Sequence, residues 1–432
     1  MIDDGMSVDE IVLAPPRRLP TVPPPGKGPR RRIILHDYGG YSFPIQLARW
    51  LAGQGHEVLY LYSADVEAPR GRLAHAAADP AGLWIEAVST GRPLPKYALL
   101  RRWWQEMDYG ARLGARTSAF HPDVVLSTNT PPAVQSALLK ALRKQNLPLL
   151  CWVQDIFSIG AAEILKDKPA PLRWAACRFL ERVEFGTMRN SAGLVVISDD
   201  FLPVLARYGV RHPHSAVVEN WAPQGEIRPL PKDNPWSRAH GLADRFVFLC
   251  AGTMGMKHNP GLLAALARSF RGDPEVRVVV VSQGIGRRWL ETVKQAEALD
   301  NLLLLDFQPF ESLSQVLASA DVAVVVLESF AGALSVPSKV YSHFCSNRPI
   351  LGALPASNHA HRLIRSRQAG VCVEPTDEMG FIAAAMRLRQ DAALRKSLAD
   401  GQAAYAADAF DIDRIGSRFS ALIEECCQRA AA

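Results

Sequence analysis

Short, wholly apolar runs alternate along this chain with stretches whose apolar residues recur at helical spacing. Runs of strand length stand at 32–35, 58–61, 123–126, 149–153, 193–197 and 216–218. They resume at 246–250, 276–281, 302–305, 322–327, 349–351 and 370–373. Amphipathic stretches lie between them. In 133–145, for example, Ala133, Ala137, Leu138, Ala141 and Leu142 share one face. The same pattern predicts helices from Pro44 and after Pro260, Arg287, Leu313, Pro337 and Asn358. A last helix is predicted over 415–427, where Phe419, Leu422 and Ile423 fall on one side. Strands that are apolar on both faces and separated by helices predict parallel sheets covered on both sides, an α/β fold.

The alternation breaks once, at the polar, proline-rich stretch Ala222 to Pro235, which reads as an interdomain linker. At 432 residues the chain is too long for one ordinary core. The organisation predicted is a disordered tail (1–30), an N-terminal Rossmann-like domain (31–221) and a linker (222–240). A C-terminal Rossmann-like domain (241–408) and a final helical segment (409–432) follow. The tail holds seven prolines and no apolar signal core. No run approaches the roughly 18 apolar residues needed to span a membrane as a helix.

Composition narrows the partners. The net charge of +6 favours anionic ligands or surfaces, but it is spread along the chain, so nucleic acid is not implied. None of the seven cysteines has CxxC spacing, and no Cys/His cluster has the spacing of a zinc site. They read as small buried hydrophobes in a reducing compartment.

Candidate chemistry gathers in the loops after strands. In the first half, Gly39-Gly40 follows the run that ends at Leu35-His-Asp-Tyr. In the second, Gly252-Thr-Met-Gly255-Met-Lys257 follows Phe246 to Ala251. Each unit puts glycines and a helix start just past a strand, where backbone N–H groups meet a phosphate. Lys257 adds a charge for a diphosphate. Gly284 and Gly286 repeat the hint weakly, without the dinucleotide glycine pattern. Phe307 and Phe310 either stack on a base or fill the core. Ser335, Pro337, Ser338 and Lys339 form a helix start suited to a phosphate or a sugar, with Pro337 in its first turn and Asn347 as its C-cap. Asp155 ends a strand, where it either meets sugar hydroxyls, acts as a base, or caps a helix. Asp123 precedes its strand and reads as structural.

Two helical stretches carry tryptophan beside arginine. In 99–112, Leu99, Leu100, Trp103, Trp104 and Met107 form one face, with Arg101, Arg102 and Arg112 on the other. The second, 172–189, holds Trp174, Phe179 and several arginines. Contact with an anionic membrane and packing on the sheet are both open to these helices.

Taken together these residues resemble the GT-B glycosyltransferases of retaining family 4, in the bacterial exopolysaccharide and O-antigen branch of colanic-acid type. The resemblance runs from about residue 32 to 425. Its marks are Gly39-Gly40, Gly55-His-Glu-Val58, Trp152-Val-Gln-Asp155, Gly252 to Lys257, Ala320-Asp-Val322 and Val336-Pro-Ser-Lys339 through Pro349. It implies two doubly wound Rossmann-like domains facing across a cleft. The first would take a lipid-linked saccharide acceptor and the second a nucleotide diphosphate sugar, UDP ahead of GDP. Gly39, Gly40 and Lys257 would face the diphosphate, Phe307 to Phe310 would lie near the base, and the final helix would cross back to the first domain. Lys257 and Asp155 are the catalytic candidates. Gly252, Thr253, Gly284, Ser335, Pro337, Ser338 and Lys339 complete the donor set. Neither a cofactor nor a metal is implied, and the enzyme would sit on the cytoplasmic face of the cell membrane through Arg101, Arg102, Trp103 and Trp104. The chain departs from the family at the two glutamate positions, here Leu334 and Ser342. It also has Thr253 for the usual arginine, and Gln154-Asp155 where a histidine is common. A nucleotide-sugar 2-epimerase of the same architecture and a catalytically inactive partner protein are the competing readings.

Overall fold

In the computed structural model of the protein, residues 29–95, 98–255, 257–332 and 335–430 are described. Most of the tail expected to be disordered (1–28) and the departure at Leu334 lie outside the described residues.

The first sheet is built from β1 (Arg32–Asp37), β2 (Glu57–Ser63), β3 (Leu83–Val88), β4 (Val124–Thr128), β5 (Leu149–Val153), β6 (Gly193–Val196) and β7 (Ser215–Val217). Their order is β3-β2-β1-β4-β5-β6-β7, with every neighbouring pair parallel. The connecting helices are α1 (Ser42–Gly53), α2 (Leu99–Phe120), α3 (Pro132–Arg143), α4 (Phe157–Ile164), α5 (Ala170–Arg189) and α6 (Phe201–Arg207). After the short α7 (Pro235–Ala239) comes the second sheet. It holds β8 (Phe246–Ala251), β9 (Val276–Val281), β10 (Leu302–Leu305), β11 (Val322–Val326), β12 (Ile350–Ala353) and β13 (Gly370–Val373). It is again all parallel, in the order β10-β9-β8-β11-β12-β13. Helices α8 (Pro260–Ser269), α9 (Ile285–Glu297), α10 (Leu313–Ala318), α11 (Lys339–Ser346), α12 (His359–Ser366) and α13 (Glu378–Gln390) connect or flank its strands. Helices α14 (Ala392–Ala399), α15 (Gln402–Ala409) and α16 (Ile412–Ala430) finish the chain.

The two doubly wound sheets expected from the alternation are present. Strand β8 shows why its sequence has no polar face. Val247, Leu249 and Ala251 enter one core, while Phe246, Phe248 and Cys250 enter the core on the other side. In each sheet the chain winds outward from a central strand (β1 or β8), then returns to its other side at β4 or β11. Such switch points open a crevice at the carboxyl ends of the strands.

Strand β3 is absent from the sequence reading. It is an edge strand in which Trp84 is exposed and Glu86 pairs with Arg116 at 2.7 Å, so its apolar run is broken. Residues 222–234, read as a linker, are strapped to the second half. Ser314 Oγ donates to the Glu226 carbonyl at 2.9 Å and accepts from the Arg228 N–H at 3.3 Å. Trp221, Ala222 and Ile227 are buried. Asp123 does serve structure: its Oδ2 accepts the Arg32 N–H at 2.7 Å.

Helix α2 packs on α3 through a later face than 99–107. Gly110 and Gly114 sit so close to α3 that an added β-carbon would lie 2.7 Å from Ala137 Cβ or 2.5 Å from Ala141 Cβ. The close approach needs both glycines.

Helix α16 returns to the first sheet and packs on α1, β4 and β5. Phe419 is fully buried, its ring 4.7 Å from that of Trp152. Arg31 grips Glu424 with two hydrogen bonds of 3.0 and 2.9 Å, and Trp50 Nε1 donates to Asp413 at 2.6 Å. Phe419→Ala should cost about 3–5 kcal/mol of stability, the usual loss for emptying a buried aromatic site. Urea unfolding followed by tryptophan fluorescence checks this, and a loss below about 1 kcal/mol would mean that the helix is not docked there.

Candidate active site

The carboxyl ends of both sheets meet across a cavity of about 640 Å³. From the first sheet it is lined by Tyr41 after β1 with the start of α1 (Ser42 and Phe43), Asn129 after β4, and Gln154 to Phe157 after β5. From the second come Ala251 to Thr253, Gly255, Lys257 and His258 after β8, Phe307, Gln308 and Phe310 after β10, and Ser335 to Lys339 at the start of α11.

One contact ties the two walls together. Lys257 Nζ lies 2.9 Å from Asp155 Oδ1 and donates to Ser335 Oγ at 2.6 Å. Residues 155 and 335 also form an isolated antiparallel backbone bridge. The partners of Lys257 come from the loop after β5 of one sheet and the loop before α11 of the other. Asn358 fixes that loop, since its Nδ2 donates to the carbonyls of Gly332 at 2.6 Å and Ser335 at 2.8 Å.

Behind Lys257 the floor is basic. Lys339 Nζ is buried and finds no hydrogen-bond partner among the described residues. Burial, and then the charge of Lys257, pull its pKa down. Its side chain runs against Gly252, where a β-carbon would stand 3.5 Å from Lys339 Cε; the glycine adopts φ +117°, which favours glycine. His258 Nδ1 accepts the Gly255 N–H at 3.1 Å, and burial holds the ring well below its usual pKa. His343 is fully buried, with both ring nitrogens unpartnered among the described residues, and burial lowers it to about 3. Both rings are neutral at pH 7.

The first-sheet wall is built from paired polar groups. Gln154 and Asn220 exchange amide hydrogen bonds of 3.1 and 2.5 Å beside Asp155. Glu184 on α5 accepts the N–H groups of Phe157 at 2.8 Å and Ser158 at 2.7 Å, capping α4 from outside. Burial raises the Glu184 carboxyl to about 7 against those bonds. Trp152 and Trp221 stack with centroids 5.6 Å apart, and Phe43 meets both edge-on.

The structure brings together Lys257, Asp155, Gly252, Thr253, Phe307, Phe310, Ser335, Pro337, Ser338 and Lys339, all of which line the cavity. It does not bring Gly39, Gly40 or Gly284 there. The N–H groups of Gly39 and Tyr41 turn inward to the Asp37 carboxylate at 3.2 and 2.5 Å, and that of Gly40 turns to the Asp37 carbonyl at 3.2 Å. The double glycine therefore wraps a buried aspartate of its own strand. Gly284 packs the loop after β9 onto the loop after β8; a β-carbon there would stand 2.6 Å from the Met254 carbonyl oxygen. Pro337 lies just ahead of α11, with Ser338 at the N-cap, rather than in the first turn. Asn347 is the expected left-handed C-cap, with φ +55°.

The four residues assigned to membrane contact divide. Arg101 and Trp104 are exposed, but Trp103 packs on Phe179 of α5, ring centroids 5.1 Å apart. Arg102 binds Glu106 at 2.7 Å and lines the cavity. Sequence reasoning missed Arg70, Arg102, Asn220, Trp221, His258 and His343 as lining groups. Of these only His258, beside Lys257, carried a local signal.

The comparisons with known proteins fit this geometry. Residues 42–223 match the family described as Glycosyltransferase Family 4, and residues 245–391 match Glycosyl transferases group 1. The chain has the GT-B fold. Among solved GT-B structures it superposes on sucrose-phosphate synthase from Thermosynechococcus elongatus with a TM-score of 0.68 at 15% identity, covering 93% of this chain and 100% of that one. Anabaena HepE, solved with UDP-glucose, gives 0.65 at 14% identity, covering 90% and 98%. A probable glycosyltransferase of Pseudomonas aeruginosa, WbjE, is 25% identical over 268 residues, which is 60% of this chain. The match spans 64% of WbjE, under two thirds of its length.

Asp37 offers a test of the first-sheet wall. Besides the loop N–H groups it accepts from the Tyr60 hydroxyl and from Asn129 Nδ2, both at 2.9 Å. Burial still pushes its carboxyl up to about 6. The folded pKa is above the unfolded one, so the stability from this group is complete below about pH 4 and is lost as pH rises through 6. Asp37→Asn has no charge to bury. Relative to the wild type it should gain on the order of 3 kcal/mol between about pH 4 and pH 7 in urea unfolding. A difference that stays flat over that range contradicts this description of Asp37.

Proposed function

We propose that this chain transfers a sugar from a nucleotide diphosphate sugar to a polyprenyl-diphosphate-linked saccharide during bacterial cell-surface polysaccharide synthesis. The observation that carries the proposal is a cavity between two sheets whose described lining holds one carboxylate, Asp155, against Arg70, Lys257 and Lys339, besides Arg102, which is paired with Glu106. Such a surplus of positive charge suits a diphosphate leaving group, and basic side chains with the start of α11 would neutralise it without a metal ion. UDP is preferred to GDP because HepE was solved with UDP and with UDP-glucose. Half-buried Phe307 and Phe310 line the cavity and would meet the base, with the acceptor on the side of Gln154, Asn220 and Trp221. Retention of configuration follows from the family resemblance.

Thermal-shift titration with UDP, GDP and their sugars is the first test, because a ligand of the native state raises its melting temperature by mass action. A rise with a uridine nucleotide is expected. Lys257→Ala should then lower kcat by roughly a hundredfold, the effect of removing one charge-stabilising donor. Turnover close to that of the wild type would sink the catalytic assignment. Ser342, at a position where the resemblance to family 4 implies a glutamate, favours one second reading, a binding protein without turnover. Nucleotide binding with no transfer to any lipid-linked acceptor would select it.

The proposal also places the enzyme on the cytoplasmic surface of the membrane. Leu100 and Trp104 on α2 and Leu172, Trp174 and Phe179 on α5 are exposed, with exposed Arg101 and Lys168 alongside and Arg178 paired to Glu181. The two helices touch through Trp103 and Phe179. Apolar tips among basic groups suit an anionic bilayer surface. Leu100→Ser combined with Trp104→Ser should weaken co-sedimentation with phosphatidylglycerol vesicles at least about tenfold at unchanged melting temperature. Undiminished binding would move the membrane face elsewhere.

A further inference from the structure

We propose that Lys339, not Lys257, anchors the donor's diphosphate, and that the arriving diphosphate takes Lys257 from Asp155. The proposal rests on reading the cavity as a nucleotide diphosphate sugar site. It concerns how that site is charged before and after the donor arrives.

The two lysines of the cavity are in opposite states. Lys257 is satisfied, with Asp155 at 2.9 Å and Ser335 at 2.6 Å. An anion gains nothing from its charge unless it first displaces the carboxylate. Lys339 is paired with no carboxylate among the described residues. Its Nζ is buried and without a hydrogen-bond partner among the described residues. A buried ammonium in that condition is costly, so burial pulls its pKa down, and an arriving anion would offset that cost.

The surroundings point to an anion as that ligand. His343, on the same helix, is fully buried with both ring nitrogens unpartnered among the described residues, and it lines the same cavity. Lys339 opens α11, so the positive end of that helix reaches the same space. Ser338 stands at the N-cap, exposed, with no hydrogen bond from its side chain to the helix backbone. Gly252 lies against the lysine, where an added β-carbon would stand 3.5 Å from Lys339 Cε and 3.9 Å from its Nζ. Asp155 is the only carboxylate among the described residues that line the cavity, and Lys257 already holds it.

The sequence of events follows from charge. A diphosphate docks on Lys339 and the start of α11. Its second phosphate then competes with the single carboxylate of Asp155 for Lys257, and the higher charge wins. Lys257 leaves Asp155 and joins the diphosphate where negative charge grows in the transition state. Lys339 thus sets affinity, Lys257 sets rate, and Asp155 holds Lys257 in reserve.

Calorimetric titration of the full chain with UDP and with inorganic pyrophosphate tests this. Lys339→Met should weaken both ligands by roughly fiftyfold or more, as loss of a charged hydrogen-bond donor does. The same variant without ligand should melt at the wild-type temperature or higher, since it removes an unpaired buried charge. Asp155→Asn should bind UDP several-fold more tightly, because Lys257 is free from the start. Lys257→Met together with Asp155→Asn removes the pair without stranding a charge, and should bind UDP within about fivefold of the wild type. Wild-type affinity in Lys339→Met, or a lowered melting temperature for it, overturns the anchor. Unchanged or weaker binding by Asp155→Asn overturns the hand-over. Pyrophosphate binding that needs Lys339 in a protein that takes no nucleotide keeps the anchor and rejects the donor reading. A protein that binds neither ligand rejects both.

Discussion

An ammonium group carried by one sheet and a carboxylate carried by the other define the cleft of this protein. Lys257 and Asp155 sit at the carboxyl ends of β8 and β5, and the loops that hold them face each other because both sheets are doubly wound. The backbone bridge between Asp155 and Ser335 fixes the spacing of the walls at that point. Both side chains remain about a third exposed, so the pair adds little to stability. Its importance is positional, because it sets where the second sheet's charges stand relative to the first sheet's polar wall.

The rest of the molecule supports that placement. On the first side, Asp37 gathers the Gly39–Tyr41 loop, Tyr60 and Asn129, and Glu184 gathers the start of α4. Each is a buried carboxylate that consumes backbone N–H groups the cavity could otherwise have used. On the second side, Asn358 pins the loop ahead of α11, and Trp236 Nε1 donates to Gln308 at 3.0 Å to steady the loop that carries Phe307 and Phe310. Helix α16 locks the end of the chain onto the first sheet beneath Trp152 and Trp221. Other buried groups also lack partners among the described residues, Thr128 Oγ1, Trp152 Nε1 and Tyr341 Oη among them, but Lys339 and His343 are the ones that stand together on α11 at the cavity floor.

The fold was largely legible in the sequence because its strands are buried on both faces and contain almost nothing but apolar residues. β8 to β13 could be read one by one. β3 was hidden because an edge strand tolerates Glu86 and an exposed Trp84. The site was legible in part. Lys257, Asp155 and the segment from Ser335 to Lys339 stand in loops after strands, where position alone marks them. The Gly39-Gly40 pair was visible, but what it wraps was not, since Asp37 sits within the strand and its other donors, Tyr60 and Asn129, come from β2 and the loop after β4. On α2, one step along the helix separates exposed Arg101 from Arg102 in the cavity, and no periodicity short of the packed structure distinguishes them. The pairing of Lys257 with a residue 102 positions away was likewise beyond any local pattern.

A crystal structure of the full chain grown with UDP addresses the central claim most directly. The account predicts the diphosphate between the two sheets, within hydrogen-bond reach of Lys339 Nζ, with Lys257 turned from Asp155 toward it. Nucleotide bound outside the cleft, or bound within it while Lys339 stays unpartnered, would contradict the account.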